Sequence, residues 1–304
     1  MAGTTRIPTP QPDAPRYGEV FDRGYAHYDG PRRGRRGAIA SLIGYSMKRA
    51  MGIRKSWTAK LLPFLLYVAI AIPLLIMIGL SAIVPDLEFA SYSGYLQAIF
   101  LIVGIFVGTA APEMICVDRH ERTLPLYFSR AITRGDYVLA KIVAMTLLTM
   151  TMTVVPSILL WLGRQLTTES ALQAMKDNLG DLGRVIFAGF TVAIVLGTLG
   201  LAISSFTNRK GIAITVIIIL FVVLTALANI GIEMLDDQAW SRYLVALHLP
   251  LLFEGLNAHL FGDVSDPVVA RLDFSFGAYV AYLSGLVILS VGILRWRYAP
   301  RDDA

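Results

Sequence analysis

Six apolar runs, each near the length that crosses a hydrocarbon core, decide what this chain can fold into: Leu61 to Val84, Tyr95 to Ile115, Tyr137 to Leu162, Leu182 to Ile203, Gly211 to Ile232 and Phe276 to Leu294. A core about 30 Å thick takes roughly 20 helical residues, and within lipid each backbone N–H and C=O must find its partner inside the protein. The runs therefore predict an all-α membrane protein with six transmembrane helices. Composition agrees, because 16% of the residues are charged and 55% hydrophobic, whereas about 25% are charged in an ordinary soluble domain. The polar opening, with Pro8, Pro10, Pro12 and Pro15, does not read as a cleavable signal peptide.

Sidedness follows from Lys and Arg, which cytoplasmic loops retain and short translocated loops shed. Twelve precede the first run, four (Arg119, Arg122, Arg130, Arg134) separate the second from the third, two (Arg209, Lys210) the fourth from the fifth, and three (Arg295, Arg297, Arg301) follow the sixth. The other loops hold four in all: Arg164, Lys176, Arg242 and Arg271. Both termini are expected in the cytoplasm, in a multi-pass protein of the plasma (inner) membrane. The net charge of +5 and the run RRGRR from Arg32 to Arg36 fit that topology and attraction to anionic membrane lipid better than a nucleic acid partner. Cys116 stands alone, which excludes an intrachain disulfide, and reads as an inert core or interface thiol.

Residues 1–37, rich in Pro, Gly and Arg, predict a disordered cytoplasmic tail. Over residues 38–60 the pattern turns helical. Ile39, Leu42, Ile43, Met47, Ala50, Met51 and Trp57 recur on one face while Lys48 and Lys55 project oppositely. Such a helix either lies in the membrane surface as an interfacial elbow, lysines among the headgroups, or packs on the protein's own loops. Residues 61–294 form the six-helix transmembrane domain, with polar loops at 116–136 and 233–275, and 295–304 form a second cytoplasmic tail. In the outer loop the stretch Leu244 to Phe261 is apolar, yet His248, Pro250, Glu254, Asn257 and His259 break it. A re-entrant or surface helical pair before the last span fits, since broken helices sit at membrane depth when protein buries them.

Within the spans, Gly104 and Gly108 form a GxxxG, and Gly189, Ala193 and Gly197 a ladder of small residues, both expected to pack helices closely. Pro73, Pro112 and Pro156 are expected to kink helices or end them. Thr149, Thr151, Thr153 and Ser157 either line a substrate path or satisfy neighbouring backbone. Glu113, Lys141 and Arg184 lie near span ends, where they are expected to snorkel or meet headgroups.

Catalytic patterns are missing from the sequence. There is no phosphate-binding GxxxxGK[ST] loop and no HExxH, so neither nucleotide binding of the Walker kind nor zinc proteolysis is expected of this chain. His27, His120, His248 and His259 are scattered and predict no metal site. The second-to-third loop is the best candidate for a working part. In DRHERTLPLYFSRAITRGDYVLAK, Asp118 to Lys141, the residues Leu124, Leu126, Tyr127 and Phe128 form an apolar island too large to face water unpartnered. A short helix over Thr123 to Ser129 is expected, with Pro125 in its first turn. Thr133 and Asp136 resemble a capping box at the head of the third span.

At these residues the chain resembles permease subunits of ABC transporters of the ABC-2 (type V exporter) kind. The resemblance runs from about Ile39 to Arg297 and is carried by Glu121, Arg122, Thr123, Leu124, Leu126, Ser129, Arg130, Ala131, Thr133, Arg134, Asp136, Tyr137 and Lys141, with Ala131 in place of a frequent proline and Ala140 of a frequent glycine. A weaker match is LAISSFTNRKGIA, Leu201 to Ala213, containing the turn Asn208, Arg209 and Lys210. The resemblance implies that Glu121, Arg122, Thr123, Leu124, Leu126, Ser129, Arg130 and Arg134 couple the chain to a separate ATP-binding subunit. That subunit would carry ATP and Mg2+, this chain binding no cofactor, and a second permease, identical or related, would complete the complex. The implied function is ATP-driven transport, mostly export. A membrane anchor that recruits a cytoplasmic partner through the same loop is the alternative, and a lipid-modifying enzyme a more distant one, as no nucleophile, base or metal set converges.

Overall fold

The computed structural model describes residues 30, 34–53, 55–83, 91–129, 132–168, 170–234, 241–262, 269 and 274–299. Most of the Pro-rich tail, Arg130 and parts of the 233–275 loop lie outside these residues, as does residue 300 onward. The regular structure described is helical throughout: α1 Arg35–Ala50, α2 Trp57–Ile83, α3 Tyr92–His120, α4 Leu124–Phe128, α5 Arg134–Leu166, α6 Ala171–Asp177, α7 Leu179–Ser204, α8 Lys210–Met234, a 3₁₀ segment Ser241–Leu247, α9 Leu249–Phe261 and α10 Phe276–Tyr298. Six of them, α2, α3, α5, α7, α8 and α10, are long and apolar enough to cross a membrane. They coincide with the six runs but begin and end where caps dictate. Ser91 Oγ accepts from the Gly94 N–H and Ser275 Oγ from the Ala278 N–H, each starting a helix at a hydroxyl rather than at an apolar residue.

Helices α3, α5 and α7 form the centre and are buried over most of their length, whereas α2, α8 and α10 expose most of theirs. Small residues let neighbouring helices touch. Gly104 lies against Phe221 and Gly108 against Ile217 of α8; Gly197 lies against Met145, and Gly189 against the backbone of Val154, both on α5. Ala193 between them is fully buried. Thr153 Oγ1 donates to the Gly189 carbonyl at 2.9 Å, and Thr149, Thr151 and Ser157 likewise donate to carbonyls of their own helix. All four hydroxyls thus satisfy backbone carbonyls, and Thr151 also meets the Tyr67 hydroxyl. Pro73, Pro112 and Pro156 lie inside unbroken helices.

A Cβ at Gly189 would stand 3.0 Å from Val154 Cγ2 and 3.1 Å from its Cα, and the backbone atom has nowhere to go. Gly189→Ala is therefore expected to lose about 1–3 kcal/mol by overpacking, read as a lowered melting temperature in detergent. Gly180→Ala on the same helix, with nothing within 4 Å of the new methyl, should melt like the native chain.

Helix α1 stops at Ala50 although its apolar pattern continues to Trp57. Gly52 adopts φ 67°, a left-handed conformation that ends helices, and Trp57 opens α2 instead. The apolar face of α1 packs on the bundle: Leu42 is buried, and Ile39, Ile43 and Met47 rest against the core, where α1 meets α3 and α5. At the other end α9 lies along the first turns of α3, with Phe253 beside Phe100 (5.7 Å between centroids) and Phe261 beside Tyr92 (5.3 Å). Gln97 Nε2 donates to Glu254 at 2.6 Å. His248 caps α9, its Nδ1 accepting from the Leu251 N–H at 2.9 Å, and His259 bonds the Gly255 carbonyl.

Candidate functional site

The polar loop between the second and third spans begins inside α3, which runs on to His120. Glu121 closes the helix and Arg122 follows at φ 52°. The Arg122 N–H reaches the Arg119 carbonyl and the Thr123 N–H the Asp118 carbonyl, the paired bonds of a Schellman ending. Glycine usually takes that left-handed position; an arginine there costs about 1–2 kcal/mol, so the surroundings must fix the turn.

Helix α4 then follows, with Pro125 in its first turn. Tyr127 and Phe128 lean on Tyr137 of α5, at 5.9 and 6.0 Å between centroids, and Arg134 lies over the Phe128 ring. Burial, and then the nearby Asp118 charge, push the Tyr127 phenol up to about 12. Leu124 is half-buried against the core, while Leu126 points away and is 67% exposed. Ser129 Oγ donates back to the Leu126 carbonyl. Helix α5 starts with a complete capping box: Thr133 Oγ1 accepts from the Asp136 N–H and Asp136 Oδ2 from the Thr133 N–H. Arg35 of α1 grips the same carboxylate with two bonds of 2.8 Å, which raises the Arg35 guanidinium.

Beneath α4 lies a charge network that binds five segments. Asp118, fully buried, accepts from Arg49 Nη1 of α1 at 2.8 Å, from Lys141 Nζ of α5 at 2.7 Å and from the Tyr137 hydroxyl at 2.9 Å. Lys141 also donates to Ser46 Oγ at 3.0 Å, and Arg49 reaches Glu121 at 3.0 Å. Glu113, one turn deeper, is buried between Lys55 from the α1–α2 link and Lys210 at the head of α8. Burial opposes the charge on Arg49, but Asp118 and Glu121 outweigh it and hold that guanidinium above its ordinary value. Lys55 goes the other way, lowered by burial and then by Lys210 and Arg49.

These contacts correct one expectation. Lys141 and Glu113 neither snorkel nor meet headgroups; they are 1% and 4% exposed and neutralised by partners from other segments, which removes the need to reach water. Only Arg184, half exposed and paired with Asp181, lies as a span-end charge should. Of the residues that sequence reasoning singled out, the structure brings Glu121, Thr123, Leu124, Leu126, Ser129 and Arg134 together around α4, with Arg122 making the turn. Lys210 joins the network, while Asn208 and Arg209 remain exposed. Arg130 lies outside the described residues. Sequence reasoning missed Ser46, Arg49, Lys55 and Asp118 as members; the available signal was the placing of Glu113 and Asp118 in a helix otherwise free of acids. Cys116 is buried, its thiol against the Ser204 carbonyl. Among the described residues no group of His, Cys, Asp and Glu is fit to hold a metal ion.

The family model described as ABC-2 family transporter protein matches residues 38–241, which takes in α1 from its fourth residue through α8, with the whole of the α4 region and its charge network. A comparison with curated proteins gives no match.

Proposed function

The chain belongs to the ABC-2 transporter family as a membrane-spanning permease component, and on that premise we propose that it is an exporter driven through α4 by a separate ATP-binding subunit. One observation carries this reading: α4 offers an exposed Leu126 on a base fastened to α3 and α5. Tyr127 and Phe128 lie on Tyr137, Leu124 rests against the core, the preceding turn is tied to Asp118, and Arg134 of α5 lies over the Phe128 ring. A closing ATP-binding subunit that pushes α4 therefore pushes α3, α5 and α1 together. ATP and Mg2+ belong to that subunit. The sparsely buried α8, with its apolar outer face, is where a second permease would pack. A pocket of about 430 Å³ between α3 and α8, apolar but carrying Gln97, Thr225 and Asn229, suits an amphipathic cargo, because ligand pockets combine apolar walls with a few polar groups. Re-entry of the 3₁₀ segment and α9 from the outer side, and cytoplasmic termini, are part of the same reading. Were α4 only a tether for a cytoplasmic partner, its rigid link to three helices would have no use.

Single cysteines test orientation and docking together. In a Cys116→Ala background, Ser129→Cys should react with an impermeant thiol reagent from the cytoplasmic side and be protected once the ATP-binding subunit is bound. Ser91→Cys should react from outside, with or without that subunit. Reaction of both from one side, or no protection at Ser129→Cys, would reject the reading.

A further inference from the structure

Beside α4, where the last turns of α3 and α10 meet, a groove of about 520 Å³ is lined by Arg119, Arg134 and Arg297 together with Leu124, Phe128 and Tyr298. Arg119 and Arg297 come from different helices yet donate to one acceptor, the Ser205 carbonyl, Arg297 through Nε at 3.3 Å. Two half-buried guanidiniums are thus held close to each other, and like charges repel more strongly the less water separates them. Across the groove Arg134 gives Nη1 to the Ala299 carbonyl at 2.9 Å. No ion pair is formed by any of the three among the described residues. The neighbouring carboxylates among the described residues are committed elsewhere: Asp118 to Arg49 and Lys141, Glu121 to Arg49, Asp136 to Arg35. A guanidinium has five donors, so one carbonyl each leaves most of them for an anion.

We propose that this groove binds the phosphate of an anionic phospholipid from the adjoining leaflet; the proposal does not rest on α4 docking to a partner, although Leu124 and Arg134 border both surfaces. The groove lies at the ends of two spans, and Trp296, 67% exposed in the last turn of α10, marks the headgroup level that interfacial tryptophans prefer. Basic pockets between spanning helices select anionic headgroups, and paired N–H groups of arginine match phosphate oxygens. Leu124, Phe128 and Tyr298 give the glycerol and upper acyl chains an apolar wall that a free anion would not use.

The full chain in detergent, titrated with phosphatidylglycerol or phosphatidylcholine and read by native mass spectrometry, tests this. Phosphatidylglycerol should bind about tenfold more tightly or better, because each arginine near the surface favours an anionic headgroup, and inorganic phosphate at equal concentration should not displace it. The double variant Arg119→Gln with Arg297→Gln should lose the preference, whereas Arg184→Gln, at the opposite end of the bundle, should keep it. If the double variant does not fold, Arg134→Gln on the exposed rim gives the same reading, with a smaller loss. Equal affinity for the two lipids, displacement by inorganic phosphate, or a preference untouched by these variants overturns the proposal. So does loss of the ATP-binding subunit with lipid preference intact, which would assign the groove to that subunit.

Discussion

Asp118→Asn is expected to cost about 3–5 kcal/mol, the range for removing one partner from a buried ion network. The carboxylate is fully buried and faces Arg49 and Lys141 at 2.8 and 2.7 Å. An amide in its place leaves Lys141, itself 1% exposed, holding a charge with Ser46 Oγ and the face of the Tyr137 ring but no carboxylate against it. The loss should appear as a large fall in melting temperature of the solubilised chain and as a loosened α1, part of whose hold on α3 and α5 passes through the same carboxylate. Replacing both ends of one pair, Asp118→Leu with Lys141→Met, should recover part of the loss, because an apolar pair of similar volume needs no counter-charge. Arg49 retains Glu121 and, at 4.0 Å, Glu113. If Asp118→Asn melts as the native chain does, the network does not hold these segments together.

The sequence made the spans legible because lipid leaves few alternatives: a run of some twenty apolar residues has no other stable home. Their ends were less legible, because a helix stops where a cap or a left-handed residue stops it. Gly52 at φ 67° breaks α1 seven residues short of where its apolar pattern ends at Trp57, and periodicity carries no record of a backbone angle. The apolar island and the Thr133–Asp136 box were readable for the opposite reason, being local patterns of fewer than ten residues. The charge network was not, since its bonds join Arg49 to Asp118 across 69 positions and Ser46 to Lys141 across 95. A lysine near a span end reads as snorkelling unless its distant carboxylate is known. The hydroxyls of α5 were ambiguous because a threonine bonded to a carbonyl one turn away and one lining a path have the same sequence.

Leu126→Ala should separate docking from folding, which a change at Leu124 cannot do. Leu124 is packed against the core and its truncation is paid in stability, whereas Leu126, 67% exposed, should shift folding by no more than about 0.5 kcal/mol. Burying a leucine in a partner's cleft stabilises by about 1.5–3 kcal/mol, so its removal should weaken binding of the ATP-binding subunit by roughly ten- to a hundredfold. Leu126→Asp should weaken it further, because a carboxylate must then be desolvated in the cleft. The measurement is a titration of the ATP-binding subunit onto immobilised permease, with melting temperatures of both variants recorded beside it. Unchanged melting with weakened binding, and with loss of ATPase stimulation by the permease, assigns Leu126 to the interface. Native affinity in Leu126→Asp would move the coupling surface away from α4, since no interface that covers this helix can leave its most projecting side chain in water.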